Sequence, residues 1–456
     1  MVMAISYHNK KVLVCGAARS GVSAALLLHR QGAQVTLQDA KLTAPPAVLA
    51  NLGIDFYLGD QPHAIVTQFE VIVISPGIPY QADFLQQARA AGVTVIGEFE
   101  LGAQHYTGEL YAITGTNGKT TTTLLVSHLL AQVEAINTVG NIGTPITSVA
   151  DPTLPCVAEV SSFQLETTDS FTPCISAVLN LTPDHLDRHG TMEHYAALKA
   201  RIFENQTSEQ VVILNLDNDY TRQMAQQTCA RVYFFSTHRC PTDPEADVTY
   251  DPVKKLIIGK LRDGDALRVS VANYKLVGLH NIENAMVAVL IAWLHGLSTE
   301  QIEQGLASFS PPEHRLEYVR EYNGTLFYND SKATNPESAM KSIQSISEKP
   351  ITLICGGVLK AVDHTPWATL VKAQVDQVIL IGSPANQAAM MAELAAVGYT
   401  AVTLTEHLAQ AVSLSTQVSK GTVLFSPATA SFDEFVDYED RGKQFKALVN
   451  NLNHRT

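Results

Sequence analysis

Hydrophobic positions along the chain alternate between two patterns. Short continuous runs of β-branched residues, bounded by Gly, Asn or Pro, are separated by longer stretches in which apolar residues recur every three or four positions. The first pattern reads as strands buried on both faces, the second as helices packed on a sheet. In the first hundred residues Lys11–Cys15, Gln34–Gln38, Val71–Ser75 and Val93–Ile96 are the expected strands, with Ser20–Arg30 and Asp83–Ala91 as helices between them. A second alternation runs through Tyr111–Thr114, Cys156–Val160, Ala177–Asn180 and Val211–Asn215. From about Asp247 to Val277 the pattern becomes short strands with turns, and Asn281–His295 then reads as an apolar helix. Pro311-Pro312 favours an extended break. Beyond it the α/β rhythm returns, with strands at Leu326–Asn329, Ile351–Cys355, Gln377–Ile381 and Thr422–Ser426. The expected class is α/β with three domains: a Rossmann-like first domain over 1–97, a central mononucleotide-binding domain over 98–311, and a Rossmann-like third domain over 312–456.

The chain's 456 residues suit three domains of ordinary size. Acidic residues outnumber basic ones 44 to 31, a net charge of −13, which argues against a general nucleic-acid binder but not against a phosphorylated small substrate in a locally positive pocket. The apolar run Met286–Leu294 is too short to span a bilayer. The N-terminus lacks the apolar core of a signal peptide, and the scattered cysteines contain no C-x-x-C pair. The expectation is a cytoplasmic protein with no membrane insertion.

One motif changes the picture. Gly115-Thr116-Asn117-Gly118-Lys119-Thr120-Thr121 follows an expected strand and opens an apolar helix, Thr122–Leu130. Glycines permit a tight turn that can bring backbone N–H groups to an anion, and the helix N-terminus adds positive potential. Lys119 would reach the terminal phosphates of a nucleotide and Thr120 would offer a hydroxyl to Mg²⁺. Ile113 stands where the usual phosphate-loop pattern has its first Gly. Glu159, at the end of the strand before Ser161-Ser162, could hold Mg²⁺; taken alone it reads equally as a solvated strand-end acid. Asp184-His185-Leu-Asp187-Arg188-His189 offers His185 as a metal ligand or is simply a polar loop. Lys199, on an expected helix Met192–Asn205, has nothing in its own surroundings to mark it. Gly16-Ala-Ala-Arg19-Ser20-Gly21 and Asp39 are a weak dinucleotide hint.

Together these segments resemble the Mur ligases. The resemblance rests on GTNGKTT, E-V-S-S-F-Q-L-E (159–166), D-H-L-D-R-H (184–189), G-L-H-N-I-E-N (278–284), H-R-L-E (314–317), N-D-S-K-A-T-N-P (329–336) and S-P-A-T-A-S-F-D-E-F (426–435), in colinear order. Within the family, S-S-F-Q-L-E and N-D-S-K-A-T-N-P resemble the members that attach D-glutamate. The resemblance implies an ATP-dependent amide ligase of peptidoglycan precursor synthesis, joining D-glutamate to UDP-N-acetylmuramoyl-L-alanine through an acyl phosphate in a bacterial cytoplasm. It implies that Thr120 and Glu159 hold one Mg²⁺, and that His185 and a CO₂-carbamylated Lys199 serve a second. It places Asn281, Asn284, Arg315 and Asp330 at the nucleotide, alongside Gly115 to Thr121. Arg19, Ser20, Asp39, Lys41, Gly77 and Asn141 would serve the UDP substrate, with Ser162 also at the substrate. Lys332, Thr334, Lys360, Ser431 and Tyr438 would bind D-glutamate. The run Gly356-Gly-Val-Leu359-Lys360-Ala361 departs from the family's G-G-x-D-[KR]-G at Leu359 and Ala361. A monomer is expected. The alternatives are a sister ligase with another acceptor or donor, folylpolyglutamate synthase at the greatest distance, and a nucleotide-binding regulator that kept the fold without the activity.

Overall fold

The computed structural model describes residues 6–60, 62–142, 144–260, 266–276, 278–310, 313–346, 348–359, 362–417, 421–431 and 434–452. It contains three sheets, each wrapped by helices, so the expected α/β class holds. By internal contact the chain falls into two compact units. The first comprises 1–182, 191–273 and 283–308, and the second comprises 183–190, 274–282 and 309–456.

The first unit carries two of the sheets. One has five parallel strands in the order Asp55–Leu58, Gln34–Asp39, Lys11–Cys15, Val71–Ile74, Thr94–Gly97. The inner strands are buried along nearly their whole length, as Val12, Val14, Ile72 and Val73 at 0 % exposure show. This is why they read as continuous apolar runs rather than alternating ones. Asp55–Leu58, with one exposed and three half-buried residues, gave no such signal.

The other sheet has nine strands. Leu110–Thr114 lies between Cys156–Glu159 on one side and Ile175–Val178 on the other, all parallel. The chain thus leaves Leu110–Thr114 where its neighbours lie on opposite sides, the position at which open α/β sheets bind ligands. The expected β-rich insert is present as an antiparallel extension, Val248–Asp251, Leu256–Lys260 and Ala266–Ser270. The apolar run Met286–Leu294 is a core segment: Ala285 through Ala292 are all at 0 % exposure in helix Leu279–His295. Among the described residues no helix is long and apolar enough to cross a membrane.

The joint after Gly97 is fastened. Helix Glu98–His105 begins there, and Glu98 accepts hydrogen bonds from the Thr147 N–H (3.0 Å) and hydroxyl (2.6 Å). Glu100, fully buried, accepts from the N–H groups of Asp169 and Ser170 and from the Ser170 hydroxyl. Burial pushes the Glu98 carboxyl up, with the Thr147 hydrogen bonds opposing.

The second unit holds a six-stranded sheet, parallel except for the edge strand Glu317–Tyr322, which runs antiparallel to Thr325–Asn329. Leu359 packs against its core, so a hydrophobic contact occupies the position where the G-G-x-D-[KR]-G pattern has its acid. Pro311-Pro312, Lys360 and Ala361 lie outside the described residues.

Candidate functional site

The glycine loop Gly115–Gly118 lies between strand Leu110–Thr114 and helix Lys119–Leu130, the strand-to-helix turn expected from the sequence. Helix Lys119–Leu130 starts at Lys119, and Gly118 precedes it with φ 87. Gly115 has φ 147, and a Cβ there would stand 3.0 Å from Leu179 Cβ and 3.3 Å from the backbone N of Asn180, so only glycine fits. The Lys119 ammonium folds back on the loop, donating to the carbonyls of Gly115 (2.9 Å) and Thr116 (2.8 Å). Thr120 and Thr121 are buried in the first turn, and the Thr121 hydroxyl has no hydrogen-bond partner among the described residues. Asn284 lies against the loop: its Oδ1 accepts from the Thr122 hydroxyl at 3.1 Å, and a Cβ on Gly118 would meet it at 2.3 Å.

The loop's N–H groups do not all face outward. Thr116 N–H donates to the Asn180 carbonyl (2.9 Å) and Asn117 N–H to Asn180 Oδ1 (2.8 Å). The Thr116 and Asn117 N–H groups are thus spent on Asn180 and are not offered to an anion.

Glu159 is a buried acid, at 1 % exposure, not a solvated one. It sits in register with Ile113, on the strand beside the one that delivers the loop. Its Oε1 accepts from Asn141 Nδ2 at 2.7 Å, while Oε2 is buried with no hydrogen-bond partner among the described residues. A carboxylate oxygen withheld from both water and protein donors costs several kcal/mol unless a cation meets it. That is the chemistry of a Mg²⁺ ligand. Among the described residues no three His, Cys, Asp or Glu side chains converge into a cage. Mg²⁺ needs none, since it takes one or two carboxylates and completes its shell with phosphate and water.

Lys199 is buried at 1 % exposure. Its Nζ donates to the Thr114 hydroxyl at 3.3 Å, and that hydroxyl donates to the Val160 carbonyl at 2.7 Å. The ammonium also lies 4.8 Å from the centre of the Tyr195 ring. The lysine thus sits one residue from the start of the phosphate loop, a placement its own stretch of sequence did not reveal. Arg201, in the turn that follows the lysine's helix, meets the S-S-F-Q-L-E segment by donating to the Leu165 carbonyl at 2.9 Å. Ser162 begins the short helix of that segment, behind a capping box in which Ser161 and Gln164 satisfy each other.

In the first sheet, Asp39 clasps the glycine turn. Its Oδ2 accepts from the Ala17 N–H (2.9 Å), and its Oδ1 from the N–H groups of Lys41 (2.8 Å) and Leu42 (3.2 Å). Partial burial works against its charge. The N–H bonds from Lys41, Ala17 and Leu42, with the Lys41 charge, win and hold the carboxyl below the usual range. Arg19, Lys41 and Gly77 are exposed and Ser20 is half-buried.

The second unit gathers its own set. Asp330 is 2 % exposed, with Leu316 N–H (3.1 Å) and the Ser426 hydroxyl (2.7 Å) donating to it. Burial pushes its carboxyl up to about 6, against hydrogen bonds from Ser342, Ser426 and Leu316 and the Arg315 charge. Asp330 therefore ties the H-R-L-E and S-P-A-T-A-S segments together. Lys332 lies with its Nζ 5.1 Å from the centre of the Tyr438 ring, so these two candidate acceptor residues are neighbours. Thr334 is half-buried and Ser431 is 2 % exposed; Lys360 lies outside the described residues. Burial, then the charges of Lys341 and Arg315, push His280, next to Asn281, down to about 3, so it is neutral at pH 7. His185 has φ 55, and its neighbour Asp184 accepts from Asn335 Nδ2 at 3.4 Å, linking D-H-L-D-R-H to N-D-S-K-A-T-N-P. His185 and Asn281 belong to the second unit, and Lys199 and Asn284 to the first.

Arg441 was not anticipated. It is fully buried and donates to the Ser331 hydroxyl (3.0 Å), the Ser331 carbonyl (2.8 Å) and the Thr429 carbonyl (3.3 Å). A single arginine in the polar helix Tyr438–Asn450 gives no sign of this, because its amphipathic pattern suits a surface position equally well.

Three family models match the chain: the Mur ligase MurD-like N-terminal domain over 10–97, the Mur ligase middle domain over 113–292, and the Mur ligase glutamate ligase domain over 314–429. Among curated proteins, the UDP-N-acetylmuramoylalanine–D-glutamate ligase of Koribacter versatilis is 41 % identical, covering 98 % of this chain and 98 % of the relative. The enzyme of the same name from Geotalea uraniireducens is 40 % identical over 97 % of this chain and 98 % of its own. Two solved structures share the fold. The pseudomurein peptide ligase type C from Methanothermus fervidus has a TM-score of 0.61 at 18 % identity, covering 97 % of this chain and 99 % of that one. The MurF ligase from Thermotoga maritima, in complex with ADP, has a TM-score of 0.60 at 15 % identity, covering 99 % and 97 %. With relatives this similar along nearly its whole length, the chain belongs to the Mur ligase family.

Proposed function

We propose that this protein is the ligase that adds D-glutamate to UDP-N-acetylmuramoyl-L-alanine at the expense of ATP, releasing ADP and phosphate. The observation that carries the chemistry is Glu159, on the strand beside the phosphate loop, whose buried Oε2 lacks a hydrogen-bond partner among the described residues. The relatives carrying that enzyme name over nearly the full chain support the choice of substrates.

A carboxylate does not acylate an amine until one of its oxygens becomes a leaving group. The terminal L-alanyl carboxylate attacks the γ-phosphate, giving an acyl phosphate and ADP. The amino group of D-glutamate then attacks the acyl carbon and phosphate leaves. Phosphoryl transfer chiefly needs positioning and charge neutralisation. Gly118, Lys119, Thr120 and Thr121 bind phosphate at the helix N-terminus, and Lys119 swings from the loop carbonyls to the phosphates. Thr120 and Glu159 would hold Mg²⁺, which supplies charge neutralisation between the phosphates. His185 and Lys199 would serve a second ion, Lys199 as a carbamate, which turns a cation into an oxygen ligand suited to a hard metal. Asn281, Asn284, Arg315 and Asp330 orient the nucleotide, Asp330 through the loops that it joins.

Residues 1–97 take the UDP portion through Arg19, Ser20, Asp39, Lys41 and Gly77. Residues 98–311 bind ATP and perform the chemistry, with Asn141 and Ser162 at the substrate. Residues 312–456 bind D-glutamate through Lys332, Thr334, Lys360, Ser431 and Tyr438. We place the enzyme in the bacterial cytoplasm, as a monomer. The test is phosphate release with ATP, Mg²⁺ and UDP-N-acetylmuramoyl-L-alanine, comparing D-glutamate with L-glutamate, L-lysine and meso-diaminopimelate. Turnover with D-glutamate alone is expected. Turnover with another acceptor would overturn the assigned acceptor residues, and silence with all would overturn the donor assignment or the activity itself.

A further inference from the structure

The phosphate loop is splinted along one side by the segment 179–182. Leu179 N–H donates to the Thr114 carbonyl (3.0 Å) and Thr116 N–H to the Asn180 carbonyl (2.9 Å), continuing the parallel ladder past the ends of the strands. Beyond that point backbone pairing gives way to a side chain. Asn180 Oδ1 accepts from the Asn117 N–H at 2.8 Å, and Asn180 Nδ2 donates to the Asn117 carbonyl at 3.1 Å. The Thr116 hydroxyl closes the seam, accepting from Thr182 N–H (3.1 Å) and lying 3.2 Å from the Thr182 carbonyl. The splint hangs in turn from the end of the next strand and the helix cap beyond it: Asn215 Nδ2 donates to the Leu179 carbonyl and Asn218 Nδ2 to the Leu181 carbonyl, each at 2.9 Å.

A primary amide is the one side chain that can reproduce both halves of a peptide unit, an acceptor and a donor in one plane, without charge. Asn180 is 8 % exposed. Its amide occupies the place where another strand residue would pair, and fixes the peptide units on both sides of Asn117 just before the left-handed Gly118. We propose that Asn180 is the positioning residue of the phosphate loop: by acting as a surrogate peptide unit it sets the turn that aims the helix N-terminus and Lys119 at the nucleotide. This rests on the reading of Gly115 to Thr121 as the ATP phosphate site. A carboxylate could keep the acceptor half, but it would lose the donor half and place an anion beside the phosphates.

The test uses the full-length protein with Asn180→Ala and Asn180→Asp. ADP binding with Mg²⁺ and UDP-N-acetylmuramoyl-L-alanine binding are measured separately by calorimetry, and amide hydrogen exchange is followed at Asn117. We expect Asn180→Ala to weaken ADP binding at least ~10-fold and Asn180→Asp at least ~100-fold, with the UDP substrate bound within about twofold of wild type. Exchange at Asn117 should speed up while Leu110–Thr114 stays protected. ADP affinity within twofold of wild type in both variants would overturn the proposal. So would equal losses for both ligands with early melting in both variants, which is the mark of a merely structural residue. If the wild-type protein itself fails to bind ADP, the nucleotide assignment fails first, and the exchange data still report whether Asn180 holds the loop.

Discussion

Two turns in this chain share one plan. Gly16 follows strand Lys11–Cys15 with φ 91 and leads into helix Arg19–Arg30; Gly115 follows strand Leu110–Thr114 with φ 147 and leads into helix Lys119–Leu130. In each, a side chain beyond or at the end of the neighbouring parallel strand accepts an N–H from the turn. It is Asp39 on Ala17 at 2.9 Å in the first and Asn180 on Asn117 at 2.8 Å in the second. The difference is charge. Asp39 stays ionised, held low by N–H donors, and offers a negative edge suited to a ligand's hydrogen-bond donors. Asn180 is neutral and leaves the field to the helix N-terminus and Lys119. In the proposed assignment the same backbone turn serves the UDP substrate in one case and the ATP phosphates in the other, according to one side chain at or beyond the end of the adjacent strand.

The sharpest test of that contrast removes the cation beside each turn. Lys119→Ala should lower kcat by ~10³-fold or more, because its charge is needed as the γ-phosphate transfers. Arg19→Ala should raise KM for the UDP substrate by ~10-fold and leave kcat nearly unchanged. Similar KM-only effects from both would break the comparison. Glu159→Gln should come next: the neutral amide no longer rewards a cation, and the Mg²⁺ concentration for half-maximal rate should rise by at least ~10-fold. An unchanged Mg²⁺ titration would remove Glu159 from the metal.

Asp330 provides a third test, of stability. Its carboxyl is raised to about 6 by burial, so above pH 6 the folded protein carries an ionised acid that the unfolded chain solvates better. As pH falls through 6 toward 3.8 the folded state binds a proton first, and that penalty disappears. Asp330→Asn should therefore be more stable than wild type at pH 7, by on the order of 3 kcal/mol, with the difference closing near pH 4. It should also be less active, since the same acid joins two ligand loops. Denaturant melts at both pH values check this, and a difference independent of pH would refute it. The smallest effect belongs to Asp39→Asn. One amide oxygen can still serve part of the turn, so stability should fall by only about 1 kcal/mol and KM for the UDP substrate should rise less than ~5-fold.

Much of this molecule was legible before any coordinates. Lys11–Cys15, Val211–Asn215 and Ile351–Cys355 are strands with the bounds the sequence suggested, because buried parallel strands are apolar on both faces. Asp55–Leu58 and the edge strand Glu317–Tyr322 were missed for the converse reason: half-exposed, mixed residues carry no continuous run. The expected helix Met192–Asn205 ends earlier as an α-helix, at Ala200, and tightens into a 3₁₀ turn over Arg201–Phe203.

The sequence alone determined the alternation of strands and helices, the position of the phosphate loop and the family, since local hydrophobic pattern and local glycine chemistry are written in consecutive residues. The tertiary structure decided which polar groups are withdrawn from water. It buried Glu159 with one oxygen unmet among the described residues, sank Lys199 against Thr114, made Asp330 a fastener between loops, and brought Asn180 and Arg441 to backbones 63 and 110 residues away. Those roles depend on burial and on partners distant in the chain, and neither is a property of any one stretch of residues.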